Sequence, residues 1–289
     1  MNENQVCGIC RNNELNTIFN GNIRDGSYGK LSSSSYKVFQ CSKCKVRFLD
    51  KFVPPEVYES GEYRKDYCGS NLLEVYRKNH DELWNNKLHR IGIHNCRDKS
   101  IADFGAGGGA FLDALQGVAK ETIAIEPTQH WQESLSKKHR VFSYGKELVK
   151  TGIKINIGVS FDVIEHVAEP RETFKEFFKL LKKDGILLIY TPNANSIGFD
   201  YMMERQNNVT PPIHLHYFNE KSINKLGEKS FSTIYFKTAG LDMGDIYAHE
   251  RDNGNKQFSH FLYDNYQVLQ TFFDHMDSGN HLRAIFKKN

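Results

Sequence analysis

The sequence IADFGAGGGAFL at residues 101–112 decides the fold of this chain. A short apolar run ends in Asp103, and the alternating glycines Gly105, Gly107 and Gly109 follow it. Glycines adopt positive φ angles and let a ligand lie against bare backbone, and the helix that follows presents free N–H groups. The stretch therefore predicts a strand, a glycine-rich turn and a helix that together bind a nucleoside cofactor.

The glycine turn by itself is compatible with several cofactors. Gly105, Gly107 and Ala110 satisfy the dinucleotide fingerprint G-x-G-x-x-G/A, so nicotinamide, flavin and S-adenosylmethionine (SAM) all stay open on these residues. Glu126 stands 23 residues after Asp103, just past the next predicted strand. A carboxylate at that place accepts the hydroxyl groups of an adenosine ribose. The spacing thus predicts a cofactor that contains adenosine.

Length, composition and charge limit the other possibilities. The 289 residues, 39% of them hydrophobic, allow one α/β domain and a small additional unit. The formal net charge of +3 is close to balanced, which argues against nucleic acid or an anionic membrane as partner. No apolar run approaches the roughly 20 residues of a membrane span, and the first residues have no apolar signal core. We therefore expect a cytoplasmic protein.

Four cysteines form two CxxC pairs near the N-terminus: Cys7, Cys10, Cys41 and Cys44. This spacing predicts a four-cysteine structural zinc site, with the intervening segment forming a β-hairpin. A redox dithiol is the alternative, but it needs only one CxxC pair. Four thiolates leave no open position for water, so the metal is expected to stabilise the fold rather than do chemistry. The two remaining cysteines, Cys68 and Cys96, are expected to be packing or surface thiols.

A tyrosine-rich segment follows Pro54-Pro55 and carries Tyr58, Tyr63 and Tyr67. We expect these rings to pack the cysteine arm onto the main domain, although tyrosines in such a segment can also line a substrate entrance. Arg64 in the same segment is expected to be solvated, with diphosphate binding as the alternative. Apolar residues at helical spacing predict a helix over residues 72–93.

The rest of the chain alternates between strand and helix patterns. Strands are predicted at 101–104, 122–125, 141–143, 159–164 and 186–190, and helices at 110–115, 131–138 and 171–181, with a turn at Asp184-Gly185. Such alternation predicts a parallel sheet that is covered on both faces. Ligands of open α/β sheets bind outside the carboxyl ends of the strands. The site is therefore expected at the edge where Glu165 and His166 follow a strand.

Four motifs in this order resemble class I SAM-dependent methyltransferases: DFGAGGG at 103–109, IEP at 125–127, FDVIEHVAEP at 161–170 and LLKKDGILLIYTPN at 180–193. HLHYF at 214–218 and Gly240-Leu241 extend the resemblance. It implies a Rossmann-like α/β fold with a mostly parallel sheet. The residues after Gly240 predict a strand at 243–249, a helix at 258–273 and a last strand at 282–287, which closes the sheet in the manner of this family and is expected to be antiparallel. The resemblance also implies SAM as the cofactor, bound by Asp103, Gly105, Ala106, Gly107, Gly109, Glu126, Pro127 and Phe161.

With the cysteine arm included, the chain is similar to bacterial methyltransferases that modify sugars, often as nucleotide sugars for capsule, lipopolysaccharide or related glycans. Zinc-containing sugar C-methyltransferases of this kind are longer and carry Tyr-His-Glu-His, where this chain has Ile213-His214-Leu215-His216. The missing acid favours O-methylation of a sugar hydroxyl over C-methylation. Three alternatives stay open: C-methylation of a sugar, methylation of an RNA or protein that the arm binds, and a noncatalytic protein that senses SAM.

Methyl transfer to oxygen needs a group that removes the hydroxyl proton. A neutral imidazole is suited to this near pH 7, so His214, His216 and His166 are the candidate catalytic residues, with His214 ranked first. The sequence divides into a zinc-binding arm at 1–53, a connector at 54–98 and a methyltransferase domain at 99–289. The expected partner is a small sugar or nucleotide-sugar acceptor.

Overall fold

In the part of the chain that the structure describes, the strands form two β-sheets. The computed structural model describes residues 6–25, 30–51, 53–79, 91–206, 209, 213–240 and 242–289, with the backbone alone at 66–68. The strands are β1 (Leu15–Arg24), β2 (Leu31–Cys41), β3 (Arg47–Leu49), β4 (Ser100–Phe104), β5 (Glu121–Ile125), β6 (Arg140–Phe142), β7 (Ile155–Phe161), β8 (Leu181–Pro192), β9 (His216–Tyr217), β10 (Phe231–Ala239) and β11 (His281–Lys288).

Helices connect these strands. They are α1 (Glu56–Ser60), α2 (Tyr63–Cys68), α3 (Leu73–Asn79), α4 (Ala110–Asp113), α5 (Gln129–Ser136), α6 (Gly145–Lys150), α7 (Pro170–Leu180), α8 (Ile197–Met202), α9 (Glu220–Gly227), α10 (Asp242–Asp252), α11 (Lys256–Asp264) and α12 (Tyr266–His275). Within these described ranges, no helix combines the length and the apolar composition that a membrane span requires.

The larger sheet has seven strands in the order β10-β11-β8-β7-β4-β5-β6. Strands β4 to β8 pair in parallel, and β11 is antiparallel to both β8 and β10. All five residues of β4 are buried, as expected for a central parallel strand with both faces covered. This topology confirms the predicted Rossmann-like α/β class with an antiparallel last strand.

The smaller sheet has the order β1-β2-β3-β9. Strands β1 and β2 form the hairpin that was predicted between the two CxxC pairs. Strand β9 comes from the HLHYF segment and pairs with β3, with His216 opposite Phe48. An ion pair of 2.7 Å also joins Arg47 of β3 to Asp200 of α8. The arm at 1–53 therefore shares its sheet with a strand from the domain that was predicted to begin at residue 99.

Most predicted elements of the domain are present, with shifts of one or two residues at their ends. Helix α7 begins with Pro170 in its first turn and buries Phe174, Phe177 and Leu180 against the sheet. The predicted turn at Asp184-Gly185 lies inside β8, where the register against β7 is irregular and Asp184 has a φ of 61°. The predicted turn is therefore a bulge within one long strand.

Two predicted strands were wrong in their bounds or their type. Strand β7 begins at Ile155 and ends at Phe161, so the predicted strand at 159–164 was placed too late. The segment predicted as a strand at 243–249 lies in helix α10, whose buried residues Met243, Ile246 and Glu250 recur at helical spacing. The edge strand is instead β10, before Gly240.

The helix predicted at 258–273 consists of two helices, α11 and α12, which meet at Asn265. The helix predicted at 72–93 begins as α3, and residues 80–90 lie outside the described residues. Leu241, part of the resemblance, also lies outside them. Cys96 is buried beneath β4, in agreement with its prediction as a packing thiol, whereas the side chain of Cys68 is among those not described.

Candidate active site and cysteine cluster

The structure brings the four CxxC cysteines together. Their Sγ atoms all lie within 4.8 Å of one another, with Cys7 to Cys44 at 3.6 Å and Cys10 to Cys41 at 3.5 Å. Four thiolates bound tetrahedrally at about 2.3 Å from a zinc ion are separated by about 3.8 Å. The cluster therefore fits a four-coordinate zinc ion in donor type, number and spacing.

The cysteine cluster also fixes the arm to the domain. The carbonyl oxygen of Ile9, between the first two cysteines, accepts a hydrogen bond of 2.8 Å from Arg171 of α7. Gly8 lies beside His216, whose Nε2 atom would be 3.9 Å from a Cβ atom at that glycine. Metal binding at the cluster would thus order a contact with two parts of the methyltransferase domain.

The glycine turn adopts the conformation that its sequence predicts. Gly105, Gly107 and Gly109 have φ angles of 74°, 58° and 87°. At Gly105 a Cβ atom would come within 2.3 Å of the Val163 side chain, so only glycine fits between the turn and the next loop. Asp103 is buried at the end of β4 directly before this turn.

Glu126 faces the glycine turn from the end of β5. Its side chain is 1% exposed and accepts hydrogen bonds from the backbone N–H groups of Gly107, at 2.9 Å, and Thr128, at 3.0 Å. These bonds fix a carboxylate where the sequence places the ribose contact. The donor set and the bare glycine backbone therefore fit an adenosine-containing cofactor.

Arg64 is not the solvated side chain that the sequence analysis expected. It is 7% exposed, lies 3.5 Å from the Glu126 carboxylate and donates to the hydroxyl of Thr128. Its guanidinium lies 4.1 Å from the centre of the Trp131 ring and 4.8 Å from that of Tyr63. Stacking and ion pairing offset the cost of burying this charge. The connector is thereby attached to the predicted cofactor site.

One cavity of about 730 Å³ joins the predicted cofactor residues to the connector. Its lining includes six of the eight predicted cofactor residues: Asp103, Gly105, Ala106, Glu126, Pro127 and Phe161. Gly107 and Gly109 shape the turn behind it. Three connector tyrosines, Tyr58, Tyr63 and Tyr76, also line the cavity. The tyrosine segment therefore forms a wall of the pocket, and the side chain of Tyr67 is not described.

His166 is the predicted catalytic histidine that lines this cavity. Its Nδ1 donates to the carbonyl oxygen of Ile213 over 2.6 Å, which leaves the lone pair of the neutral ring on Nε2. Burial lowers the pKa of His166 to about 3, and the nearby positive charges of His214 and Arg64 act in the same direction. The imidazole is therefore neutral near pH 7.

The other two candidate histidines lie elsewhere. His214, ranked first from the sequence, packs directly against His166 with ring centres 4.7 Å apart, but it is not part of the cavity lining. His216 is buried in β9 between Phe48 and Phe218, and burial lowers its pKa to about 4. His216 thus faces the cysteine arm, while His166 and His214 form a pair beside the cavity.

Glu165 was not among the predicted site residues. Its side chain is 0% exposed, and one carboxylate oxygen accepts a hydrogen bond of 2.8 Å from the Thr191 hydroxyl. The carboxylate lies within 4.8 Å of imidazole nitrogens of both His166 and His214. The sequence signal was the adjacency of Glu165 to His166 after a strand, but the approach of His214 depends on the tertiary fold.

The cavity lining carries more acidic than basic side chains. The acids are Asp103, Glu126, Asp162, Glu169 and Glu176, and the bases are Arg64 and Lys146. Arg64 is already paired with an acid of the same lining. The lining therefore favours a positively charged ligand group over a phosphate.

Comparison with known families agrees with this geometry. The pattern of the methyltransferase domain family matches residues 76–230, more than half of the chain. The chain belongs to this methyltransferase family. A probable SAM-dependent methyltransferase of Mycolicibacterium smegmatis is 26% identical over 156 residues, which are 53% of this chain and 55% of that protein. A probable SAM-dependent methyltransferase of Mycobacterium tuberculosis is 24% identical over 102 residues, 34% of this chain and 37% of that protein.

The chain thus spans at most about half the length of these curated relatives. Together with the family match, they support a SAM-dependent methyltransferase domain. Among solved structures, a SAM-dependent methyltransferase from Archaeoglobus fulgidus is 17% identical, with a TM-score of 0.48, and the match covers 75% of this chain and 98% of that one.

Proposed function

We propose that the protein transfers a methyl group from SAM to a hydroxyl oxygen of a sugar. The observation that carries this proposal is that His166 lies on the wall of the same cavity as the glycine turn and Glu126. A cofactor site and a neutral imidazole that share one pocket suit methyl transfer to an acceptor whose proton must be removed.

The residues of the cavity fit the parts of the cofactor. Glu126 would accept hydrogen bonds from the ribose hydroxyls, and the backbone at Gly105 would lie against the ligand. When bound, SAM supplies a methyl group on a positively charged sulfur, which leaves as a neutral thioether. The acidic lining, with Asp103 and Asp162 in addition to Glu126, is favourable for that positive charge.

We assign the acceptor to the part of the cavity beside the connector. Tyr58 lies against both Tyr63 and His166, with ring centres 5.4 Å and 5.8 Å apart. Aromatic walls with a few fixed polar groups are typical of small-molecule sites, and the cavity volume is within their usual range of about 300–1,000 Å³. A hydroxyl held between these rings and His166 would lose its proton to Nε2 of that histidine.

The charge of the lining bears on the form of the acceptor. Phosphates of a nucleotide sugar would have to lie outside this acidic cavity, and the same holds for the backbone of an RNA. We therefore expect only the sugar ring that receives the methyl group to enter the cavity, with any nucleotide carrier outside it. C-methylation is less favoured than O-methylation, because none of the residues 213–216 is an acid that could assist formation of an enolate.

We further propose that Cys7, Cys10, Cys41 and Cys44 bind one structural zinc ion. The spacing of their Sγ atoms supports this assignment. A site of four thiolates has no open position for substrate. Its expected role is to hold the β1–β3 arm against the domain.

Mass spectrometry of acceptors incubated with protein and SAM tests the proposed reaction. The panel contains free sugars and nucleotide-linked sugars, together with RNA and a protein mixture as competing acceptor classes. We expect one sugar to gain a single methyl group with wild-type protein and with His260→Gln, which changes an exposed histidine. His166→Asn should lower this product by about 10² or more. Methylation of RNA or protein alone, or of no acceptor, would contradict the proposal.

A further inference from the structure

The buried carboxylate behind the histidine pair suggests a role that the sequence did not assign. We propose that Glu165 is a positioning residue, anchored by Thr191, whose carboxylate holds the His166–His214 pair and stabilises the positive charge that forms when the pair takes up the acceptor proton. This inference rests on the proposed function and adds a residue that touches neither cofactor nor acceptor.

Glu165 joins three parts of the fold. It follows β7 in the chain, and its carboxylate accepts a hydrogen bond from the hydroxyl of Thr191 in β8. Its backbone carbonyl oxygen accepts hydrogen bonds from the N–H groups of Leu215, at 2.8 Å, and His216, at 3.1 Å. The last two bonds fix the backbone of the segment that carries His214. One residue therefore connects the turn after β7, which carries His166, to the segment that carries His214.

The charges around the pair explain why a carboxylate is needed there. Arg64 of α2 and His214 both act on His166 as positive charges that disfavour its protonation. Aromatic rings also flank the pair: Tyr58 of α1 lies against His166, and Tyr217 of β9 lies against His214. Burial and the positive neighbours disfavour a protonated His166 ring, and the hydrogen bond from its Nδ1 to the Ile213 carbonyl only partly offsets them.

An ionised carboxylate within 4.8 Å would have the opposite effect. In a buried site the attraction between a carboxylate and an imidazolium is screened less than in water. A negative charge at Glu165 therefore offsets the positive neighbours when a proton arrives at Nε2 of His166. The carboxylate then stabilises the positive charge on the pair, and the hydrogen bond from the Thr191 hydroxyl keeps that carboxylate in place.

Histidine titration by NMR tests this role without any acceptor. We expect Glu165→Gln, which keeps the shape of the side chain, to lower the apparent pKa of the pair by about one unit, a tenfold weaker proton affinity. Thr191→Val should give a smaller shift in the same direction and serves as a second variant if Glu165→Gln does not fold. Glu172→Gln, at an exposed acid, is the matched control and should leave the pair unchanged. Unchanged titration in a folded Glu165→Gln protein would overturn the proposal.

Steady-state kinetics gives the second readout. Glu165→Gln should lower kcat by about 10-fold or more, with KM for SAM unchanged, and Glu165→Asp should recover part of the loss. A parallel rise in KM for SAM with unchanged kcat would contradict a positioning role. If wild-type protein methylates no sugar, the proposed function fails, but the NMR titration still decides the role of Glu165.

The same three side chains are also a donor set for a divalent metal ion, and the experiment separates that case. Mn²⁺ is added to protein whose cysteine site is loaded with zinc. Selective broadening of both His166 and His214 resonances, lost in Glu165→Gln, would identify the carboxylate as a metal ligand and overturn the proposal. Unbroadened resonances support it.

Discussion

The guanidinium of Arg64 lies 3.5 Å from the carboxylate of Glu126, and this buried pair joins the connector to the end of β5. The same guanidinium stacks on Trp131 of α5 and donates to Thr128. The predicted ribose contact and the wall of tyrosines therefore depend on one another. Binding of the cofactor and the position of the tyrosine wall are expected to be coupled through this pair.

Replacing Arg64 tests that coupling. Arg64→Met should weaken SAM binding by about 10-fold or more, because it leaves Glu126 without its cation and removes the stacking on Trp131. Lys65→Met, in the same helix but at an exposed ion pair, is the matched control and should have no effect. The measurement is calorimetric titration with SAM. Equal affinities for the two variants would show that the connector does not contribute to the cofactor site.

The ribose assignment of Glu126 gives a second prediction. Glu126→Gln should weaken SAM binding by about 1–3 kcal/mol, because a charged acceptor of hydrogen bonds from the ribose hydroxyls is lost. Glu133→Gln, at an exposed acid of the following helix, should leave the affinity unchanged. Fluorescence or calorimetric titration measures both. An unaltered affinity in Glu126→Gln would move the ribose contact to another residue.

The glycine turn gives a third prediction, in which two glycines with positive φ are compared. Gly105→Ala combines a φ of 74° with a clash against Val163, whereas Gly254→Ala has a φ of 82° and open space around it. We expect only the backbone cost of about 1 kcal/mol in Gly254→Ala, and a larger loss of stability together with loss of SAM binding in Gly105→Ala. Urea unfolding and SAM titration of both variants decide this. Equal behaviour would mean that the close approach at Gly105 is not required.

The cysteine cluster predicts one zinc ion per chain. Cys41→Ser should lower the bound zinc and the melting temperature, because a three-thiolate site holds the arm less tightly. Cys96→Ser changes a buried cysteine outside the cluster, so this variant should bind as much zinc as the wild-type protein. Elemental analysis of the purified proteins, together with thermal unfolding, measures both effects. Zinc content unchanged by Cys41→Ser would refute the site.

The low pKa of His166 predicts how stability depends on pH. The folded protein keeps this ring neutral down to about pH 3, whereas the unfolded chain protonates it near its ordinary pKa of about 6.5. Unfolding therefore takes up a proton between these values, so the free energy of unfolding contributed by this residue falls as the pH is lowered from about 6.5 towards 3. His166→Gln should remove that part of the dependence. Urea unfolding of both proteins across this range checks it, and a difference that does not change with pH would contradict the assignment.

The sequence predicted the local elements of the site well, because each depends on neighbouring residues. A strand that ends in Asp103 and the glycine turn after it require little beyond local conformation and burial. The spacing to Glu126 follows from a short strand–helix–strand unit. The cysteine cluster was predictable for the same reason, since two CxxC pairs restrict the ways in which four thiolates meet.

The parts that the sequence did not predict depend on contacts between distant segments. Strand β9 has two residues, and only its pairing with β3 shows that His216 faces the arm. Arg64 looked like a surface charge until Trp131 and Glu126 were seen around it. The strand predicted at 243–249 is helix α10 in the structure. This error was avoidable, because Met243 and Ile246 already stand at helical spacing in the sequence.

Titration of SAM and of NAD into the purified protein tests the central claim most directly. The cavity between the Gly105 turn and Glu126 should bind one SAM per chain and no NAD, and the Glu126→Gln protein should bind SAM more weakly. No heat with SAM, or binding of NAD in its place, would contradict the account.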